Sequence, residues 1–285
     1  MSENCYRLLD SGGYQKLEVV GPYRFVRPCP QAIWSRRLPD SEWQRYDARY
    51  ERFSGGQGKW HMLSAEVQSE WPVELGGIKL LAKPTDFGHL GFFVEHKDRW
   101  TTLQSMIATA GGPFNVLNLF GYTGAASIAC LVSGAEVVHV DASKTSVSWG
   151  RENAHLNEAS DKPVRWIVDD ARKFVQREIR RGNRYKGIIL DPPSYGRGAK
   201  GEVWKIEQDL LPLLENVVSL LSDDFSFLLL SSHSNGHTPQ ALANLFSEYS
   251  QCVVKESGEM LIPESGAVRA VPSGAYALVA NRNDH

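Results

Sequence analysis

From Asp98 onward the chain alternates short apolar runs with longer amphipathic ones, and few folds accommodate that rhythm. Asp98 to Ala110 predicts a helix, Gly111-Gly112-Pro113 breaks it, and Phe114 to Phe120 predicts a buried strand. The same pattern predicts helices over Ala125–Val132, Lys144–Leu156, Ala171–Arg181, Ile206–Leu221 and Pro239–Tyr249. Between them it places strands at Glu136–Val140, Val164–Val168, Gly187–Leu190 and Phe225–Ser231. A strand followed by a helix, repeated, requires a mostly parallel sheet covered on both faces, because parallel neighbours can be joined only by a crossover. Cys252–Glu256 and Ala275–Asn281, separated by a stretch containing Gly and Pro, suit an antiparallel pair at the sheet edge. The expectation is a Rossmann-like α/β domain with a seven-stranded sheet.

Residues 1–97 read differently. Short apolar stretches at Leu17–Val20, Tyr23–Val26, Ile78–Ala82 and Phe92–Val94 are broken by Gly and Pro, which predicts short strands and turns. Trp34, Trp43, Trp60 and Trp71 fall here. They form either a small aromatic core or an aromatic face for a flat ligand, and a small sheet needs bulky side chains to bury enough area. A chain of 285 residues therefore divides into a small β-rich domain, 1–97, and a larger α/β domain, 98–285.

Composition excludes several classes. Apolar side chains make up 42% of the chain and charged ones 22%, which is enough for a sizeable core and too balanced for disorder. Met1 to Gly13 lacks a basic and then apolar leader, and no run of 18 apolar residues occurs, so a cytoplasmic protein without a membrane partner is expected. Cys5, Cys29, Cys130 and Cys252 are scattered without metal-ligand spacing, so they are expected to be reduced, and no metal is expected. Lys and Arg number 31 against 33 Asp and Glu, so any RNA partner must be held by a local patch.

In an open parallel sheet the ligand lies beyond the carboxyl ends of the strands. After the first strand comes Asn118-Leu119-Phe120-Gly121-Tyr122-Thr123-Gly124, whose two glycines permit close backbone approach. No GxGxxG is present to seat a pyrophosphate, which argues against a dinucleotide and is compatible with S-adenosyl-L-methionine, a ligand without phosphate. The second strand ends at Asp141, about 20 residues past the glycine turn, where a carboxylate accepts from both ribose hydroxyls or caps the next helix. The third ends Asp169-Asp170-Ala171. Asp170 suits the adenine amino group and the Ala171 N–H the ring, although one of the two aspartates can serve as a helix cap.

The fourth strand ends Asp191-Pro192-Pro193-Ser194-Tyr195. Two prolines remove two N–H donors and leave carbonyls to accept, so with the Asp191 carboxylate they form an acceptor-only surface suited to a planar amine, on which Tyr195 can stack. A rigid turn with a capping Asp is the structural alternative.

Taken together, these residues resemble the class I S-adenosylmethionine-dependent methyltransferases, and within them the bacterial group related to ribosomal RNA large-subunit methyltransferase I. The resemblance rests on Asn118 to Ala125, Val140-Asp141-Ala142-Ser143, Asp169-Asp170-Ala171, Asp191-Pro192-Pro193 and the upstream Gly91-Phe92-Phe93-Val94-Glu95, and it covers roughly residues 85 to 235. It implies donor contacts at Phe120, Tyr122, Thr123, Gly124, Asp141, Asp170 and Asp191, with Phe93 and Glu95 closing the pocket. Two departures stand out. Members making 5-methylcytosine place a nucleophilic cysteine in a Ser-Cys-Ser setting after the fifth strand, whereas this chain reads Ser231-Ser232-His233-Ser234. Carbon methylation of cytosine needs a thiolate adduct, so a nitrogen acceptor is favoured. The N-terminal segment also does not read as the usual RNA-binding module of that group.

Lys173, Arg177, Arg180, Arg181 and Arg184 lie away from the apolar face of Ala171, Phe174, Val175 and Ile179, as a solvated face or a phosphate-contacting patch. Gly196 to Lys205, with Trp204, suits a mobile lid over a nucleotide or a plain surface loop. Methylation of a base nitrogen in RNA leads; a small-molecule methyltransferase and a non-catalytic RNA-binding protein of the same fold are the alternatives.

Overall fold

The structure is a computed structural model that describes residues 5–53, 58–198 and 201–282. The chain forms two compact units: the described residues of Met1–Lys97 with Leu261–Ser273, and those of Asp98–Met260 with Gly274–His285. No helix among the described residues is long and apolar enough to cross a membrane.

The first unit is built on a five-stranded sheet of order β1-β2-β3-β4-β5, comprising β1 (Tyr6–Gly12), β2 (Gln15–Val20), β3 (Tyr23–Pro28), β4 (Ala48–Arg52) and β5 (Gly58–Met62). A short helix α1 (Asp40–Trp43) precedes β4, and a separate hairpin pairs β6 (Trp71–Leu75) with β7 (Ile78–Ala82). Gly76 and Gly77 turn that hairpin at φ 61° and 75°, the left-handed pair that matches strand twist. The tryptophans are core rather than a display face. Trp71 stacks on Phe25 at 5.7 Å and meets Tyr23 edge-on at 4.9 Å, and Trp60 packs on Phe25 and Tyr50.

Strand β1 escapes the sequence pattern because Asp10 and Ser11 interrupt its apolar run, yet both are buried. Asp10 accepts from the Leu38 N–H (2.8 Å), the Trp43 indole (2.8 Å) and Arg269 (2.8 Å), which supplies the partners that a buried carboxylate requires. Phe92–Val94, read as a strand, is instead a bend entering a 3-10 turn over Val94–His96, with Gly91 at φ 95°.

The second unit carries a seven-stranded sheet of order β10-β9-β8-β11-β14-β16-β15. Its strands are β8 (Asn115–Leu119), β9 (Glu136–Asp141), β10 (Val164–Val168), β11 (Gly187–Leu190), β14 (Phe227–Ser232), β15 (Cys252–Pro263) and β16 (Ala270–Asn281). The first five are parallel, and β16 runs antiparallel to β14, which confirms the expected Rossmann-like sheet with its antiparallel edge. Helices α2 (Lys97–Thr109), α3 (Ala125–Val132), α4 (Lys144–Leu156), α5 (Ala171–Arg181), α6 (Ile206–Val218) and α7 (Pro239–Asn244) connect them. One core cluster joins Leu117, Leu119, Ile188, Leu190, Leu228 and Leu230 to Phe174, Leu210 and Leu214 from α5 and α6. A second joins Val116, Ile189 and Leu229 to Leu103 and Ile107 of α2 and Leu131 of α3, so the central strands β8, β11 and β14 bury both faces.

Several boundaries differ from expectation, most of all in the C-terminal part. Helix α7 ends at Asn244, short of Tyr249, and α6 ends at Val218 rather than Leu221. Strands β15 and β16 run through the Gly- and Pro-containing stretch, because Ile262 and Val271 join Leu8, Cys29 and Ala32 in a buried cluster of the first unit. A long-range partner surface, invisible in local pattern, extends them.

Candidate active site

Register brings the candidate residues to one level. Val168 pairs with Asp141, Val140 with Leu119, Leu119 with Leu190 and Leu190 with Leu230. The next positions along these strands, Asp169, Asp141, Phe120, Asp191 and Ser231, therefore line the carboxyl edge. The chain leaves β8 toward β9 and β10, then returns to β11 on the other side, so the crevice falls between Phe120 and Asp191.

The turn after β8 is held in an unusual conformation. Phe120 (φ 57°), Tyr122 (φ 49°) and Gly124 (φ 85°) are all left-handed, which costs a non-glycine residue on the order of 1 kcal/mol and persists only where surrounding contacts demand it. Those contacts are on hand. The Tyr122 N–H donates to Asp141 Oδ2 at 2.8 Å, the Gly121 N–H to the Val140 carbonyl at 3.0 Å, and Asn153 Nδ2 to the Thr123 carbonyl at 2.9 Å. Gly121 is required for space, since a Cβ there would stand 2.4 Å from His139 Cε1. His139 is itself buried, 3.0 Å from Ser127 Oγ through Nδ1, and Ser127 Oγ accepts from Asn118 Nδ2 at 2.8 Å. Burial lowers the His139 pKa to about 3, so a neutral ring underlies the turn.

Asp141 is not the helix cap. Ser143 caps α4, accepting from the Ser146 N–H at 3.1 Å, while Asp141 Oδ1 accepts from the Ser143 N–H at 2.8 Å. Burial raises the pKa of the Asp141 carboxyl, and the two backbone N–H groups oppose that rise. Burial and the neighbouring Asp141 charge push the Tyr122 phenol up to about 12, so it stays neutral.

At the next strand end the cap reading applies to Asp170, which accepts from the Lys173 N–H at 3.1 Å and pairs with Arg172 at 3.0 Å. Asp169 accepts from the Asp170 N–H at 2.9 Å and pairs with Arg177. Ala171, buried, opens α5.

On the acceptor side, Asp191 is half-buried and Ser231 Oγ donates to its Oδ1 at 2.6 Å from the adjacent strand. His233 Nε2 stands 3.7 Å from the same oxygen. Neither neighbour was singled out with Asp191 by sequence reading, because 40 and more residues separate them and only the β11–β14 register joins them. Pro192 is buried and Pro193 exposed. The Pro193 carbonyl, expected to be open to substrate, accepts from Trp204 Nε1 at 2.6 Å. Tyr195 is exposed, and its hydroxyl accepts from Arg197 Nε at 2.8 Å.

The segment read as a lid or plain loop forms a hairpin, β12 (Tyr195–Arg197) against β13 (Val203–Lys205); Ala199 and Lys200 lie outside the described residues. Trp204 is buried on Phe120 at 4.9 Å, so it braces the site and does not stack on a nucleotide. The basic face of α5 is largely paired within the protein: Lys173 with Glu202 (2.6 Å), Arg177 with Asp169, and Arg181 with Glu178 (2.8 Å). Phe93 and Glu95 belong to the first unit, where Phe93 packs on His89 at 5.1 Å and Glu95 opens the 3-10 turn.

The donor set discriminates between ligands. Asp169 and Asp170 are matched by Arg177 and Arg172, whereas Asp141 and Asp191 add carboxylates to the carboxyl edge, which disfavours a pyrophosphate and suits a sulfonium carrying ribose hydroxyls and an amine. The residues fit S-adenosylmethionine.

Comparison with known proteins decides the family. Residues 47–234 match the model of the S-adenosylmethionine-dependent methyltransferases. The chain belongs to that family. The methyltransferase is 38% identical to the S-adenosylmethionine-dependent methyltransferase of Agrobacterium tumefaciens, whose crystal structure superposes with a TM-score of 0.91 over 96% of this chain and 90% of that one. It is 30% identical over 250 residues to ribosomal RNA large subunit methyltransferase K of Neisseria meningitidis, covering 87% of this chain and 64% of that protein. It is 28% identical over 239 residues to ribosomal RNA large subunit methyltransferase K/L of Pseudoalteromonas atlantica, covering 76% of this chain. The methyltransferase spans about a third of the length of that K/L relative, with 33% of it covered.

Proposed function

We propose that this methyltransferase acts on a base nitrogen of RNA, ribosomal RNA first among candidates, in the cytoplasm. The observation that carries the reading is the acceptor edge itself: Asp191 flanked by Ser231 and His233, with no thiol beside it among the described contacts. Burial pushes the Cys130 thiol up to about 12 and the Cys252 thiol to about 11 and raises that of Cys29, so a thiolate route to cytosine carbon through these three is disfavoured. The ribosomal RNA large subunit methyltransferase K and K/L names of its relatives support RNA as the substrate class.

S-adenosylmethionine, when bound, supplies an electrophilic methyl group on a sulfonium. Asp141 would accept from the ribose hydroxyls while holding the Tyr122 N–H, and Thr123 and Gly124 would bring backbone close to the ligand. Asp170 and Ala171 would lie at the adenine, and residues 1–97 would act as a domain preceding a catalytic domain of 98–285. Asp191 and Pro192 would orient the acceptor amine with Tyr195 against its ring, and alignment of this kind supplies most of the acceleration in methyl transfer.

Mass spectrometry of RNA nucleosides from cells with and without the gene tests the reading. One N-methylated nucleoside is expected to disappear on deletion. An unchanged RNA profile, with transfer to a metabolite extract, would select the small-molecule alternative. Labelled-methyl incorporation into bulk RNA that Asp191→Ala leaves unaltered would sink the proposed site.

A further inference from the structure

Resting on that reading, we propose that His233 is the proton acceptor of the acceptor site, which commits the substrate to a nitrogen that still bears hydrogen, such as an exocyclic base amine. The strand register places it. Leu190 pairs with Leu230, so Ser231 lies beside Asp191 and His233 follows just beyond β14. Ser231 holds Asp191 Oδ1 by donating at 2.6 Å, and His233 Nε2 stands 3.7 Å from the same oxygen. Gly274 leaves room for the ring, since a side chain there would come within 3.1 Å of His233 Nδ1. The imidazole is about one-third exposed, at 35%, which connects it to solvent.

Several neighbouring polar groups of the second unit are already engaged. Ser194 and Ser234 bond to each other at 2.7 Å, the Tyr195 hydroxyl accepts from Arg197, and the Pro193 carbonyl is taken by Trp204. A free carboxylate is a weaker base than imidazole by about 2.5 pKa units, so the Asp191 carboxylate serves better as the imidazolium's counter-charge.

The step balances. As the acceptor nitrogen bonds to the methyl carbon, the carbon–sulfur pair stays with sulfur and leaves the neutral thioether product. The nitrogen is now cationic and still protonated. Its N–H bond breaks with the electron pair returning to nitrogen, the proton bonds to His233 Nε2, and the imidazolium releases it to water.

The test uses the full chain, labelled S-adenosylmethionine and unmodified large-subunit ribosomal RNA transcribed in vitro. His233→Ala and His233→Gln are expected to lose about 10²- to 10⁴-fold in single-turnover rate. Donor affinity by calorimetry is expected to stay within about 2-fold, because the loss is one of proton transfer and not of the ground-state donor contacts. Added imidazole should restore the Ala variant, and a series of substituted imidazoles should rescue it in order of basicity, which no structural role would produce. A donor-binding variant with the wild-type rate, or one that no imidazole rescues, overturns the inference and leaves the RNA reading standing. Absence of transfer to this RNA by the wild type overturns both.

Discussion

The backbone N–H of Tyr122 donates to the carboxylate of Asp141 at 2.8 Å, which ties a left-handed turn after one strand to the end of its neighbour. The same carboxylate is the one proposed to accept from the donor ribose, so one side chain would both shape the turn and hold the donor.

Asp141→Ala removes the acceptor for Tyr122 and Ser143 together. Leaving partly buried donors without partners costs about 1–3 kcal/mol of stability. Donor affinity is expected to fall by more than about 10-fold, beyond one 1.4 kcal/mol increment, because the turn loses its tether as well as the proposed ribose contact. Calorimetric titration with S-adenosylmethionine, alongside urea unfolding, measures both effects.

Gly121→Ala places a methyl group against a ring that cannot retreat, because His139 is wedged between Ser127 and Trp166, whose ring lies 4.7 Å away. Overpacking of this kind costs about 1–3 kcal/mol. The variant should unfold at lower urea and bind donor more weakly, whereas Gly112→Ala, with nothing within 4 Å of the added carbon and no left-handed φ, serves as a comparison for backbone effects alone.

His139 gives the second unit a pH signature. Its pKa falls from the ordinary 6.5 to about 3 through burial, so between these values the unfolded chain binds a proton that the folded one refuses. Stability is full above pH 6.5 and declines as pH falls toward 3, with a slope of up to about 1.4 kcal/mol per unit. Urea-unfolding curves from pH 7 to pH 5 should show this decline in the wild type, and His139→Asn should flatten it.

Trp204→Phe keeps an aromatic ring near Phe120 and deletes the indole N–H that holds the Pro193 carbonyl at 2.6 Å. The proline turn loses a restraint while the donor turn keeps its own bonds. Single-turnover methyl transfer should slow by roughly 10-fold, an increment of about 1.4 kcal/mol, with donor affinity unchanged. A fall in donor affinity equal to the fall in rate would place Trp204 in the donor half instead.

The alternation of strands and helices was legible in the sequence, as were the positions of Asp141, Asp170 and Asp191 at strand ends, because periodicity, turn residues and caps act over a few neighbouring residues. Lys144–Leu156 and Ala171–Arg181 coincide with α4 and α5 for that reason. Which aspartate caps a helix was not legible. Ser143 and Asp141 are both competent caps in sequence, and only the backbone path after β9 selects Ser143. Long-range pairing decided the rest. Ser231 and His233 come to Asp191 through parallel strand register, Trp204 reaches Pro193 through a hairpin, and the basic residues of α5 find acidic partners as far away as Glu202. Local sequence therefore determined the elements and the edge on which the candidate donor residues stand. The acceptor chemistry was left to tertiary structure, because its neighbours lie on different strands and only the register of the sheet sets their separation.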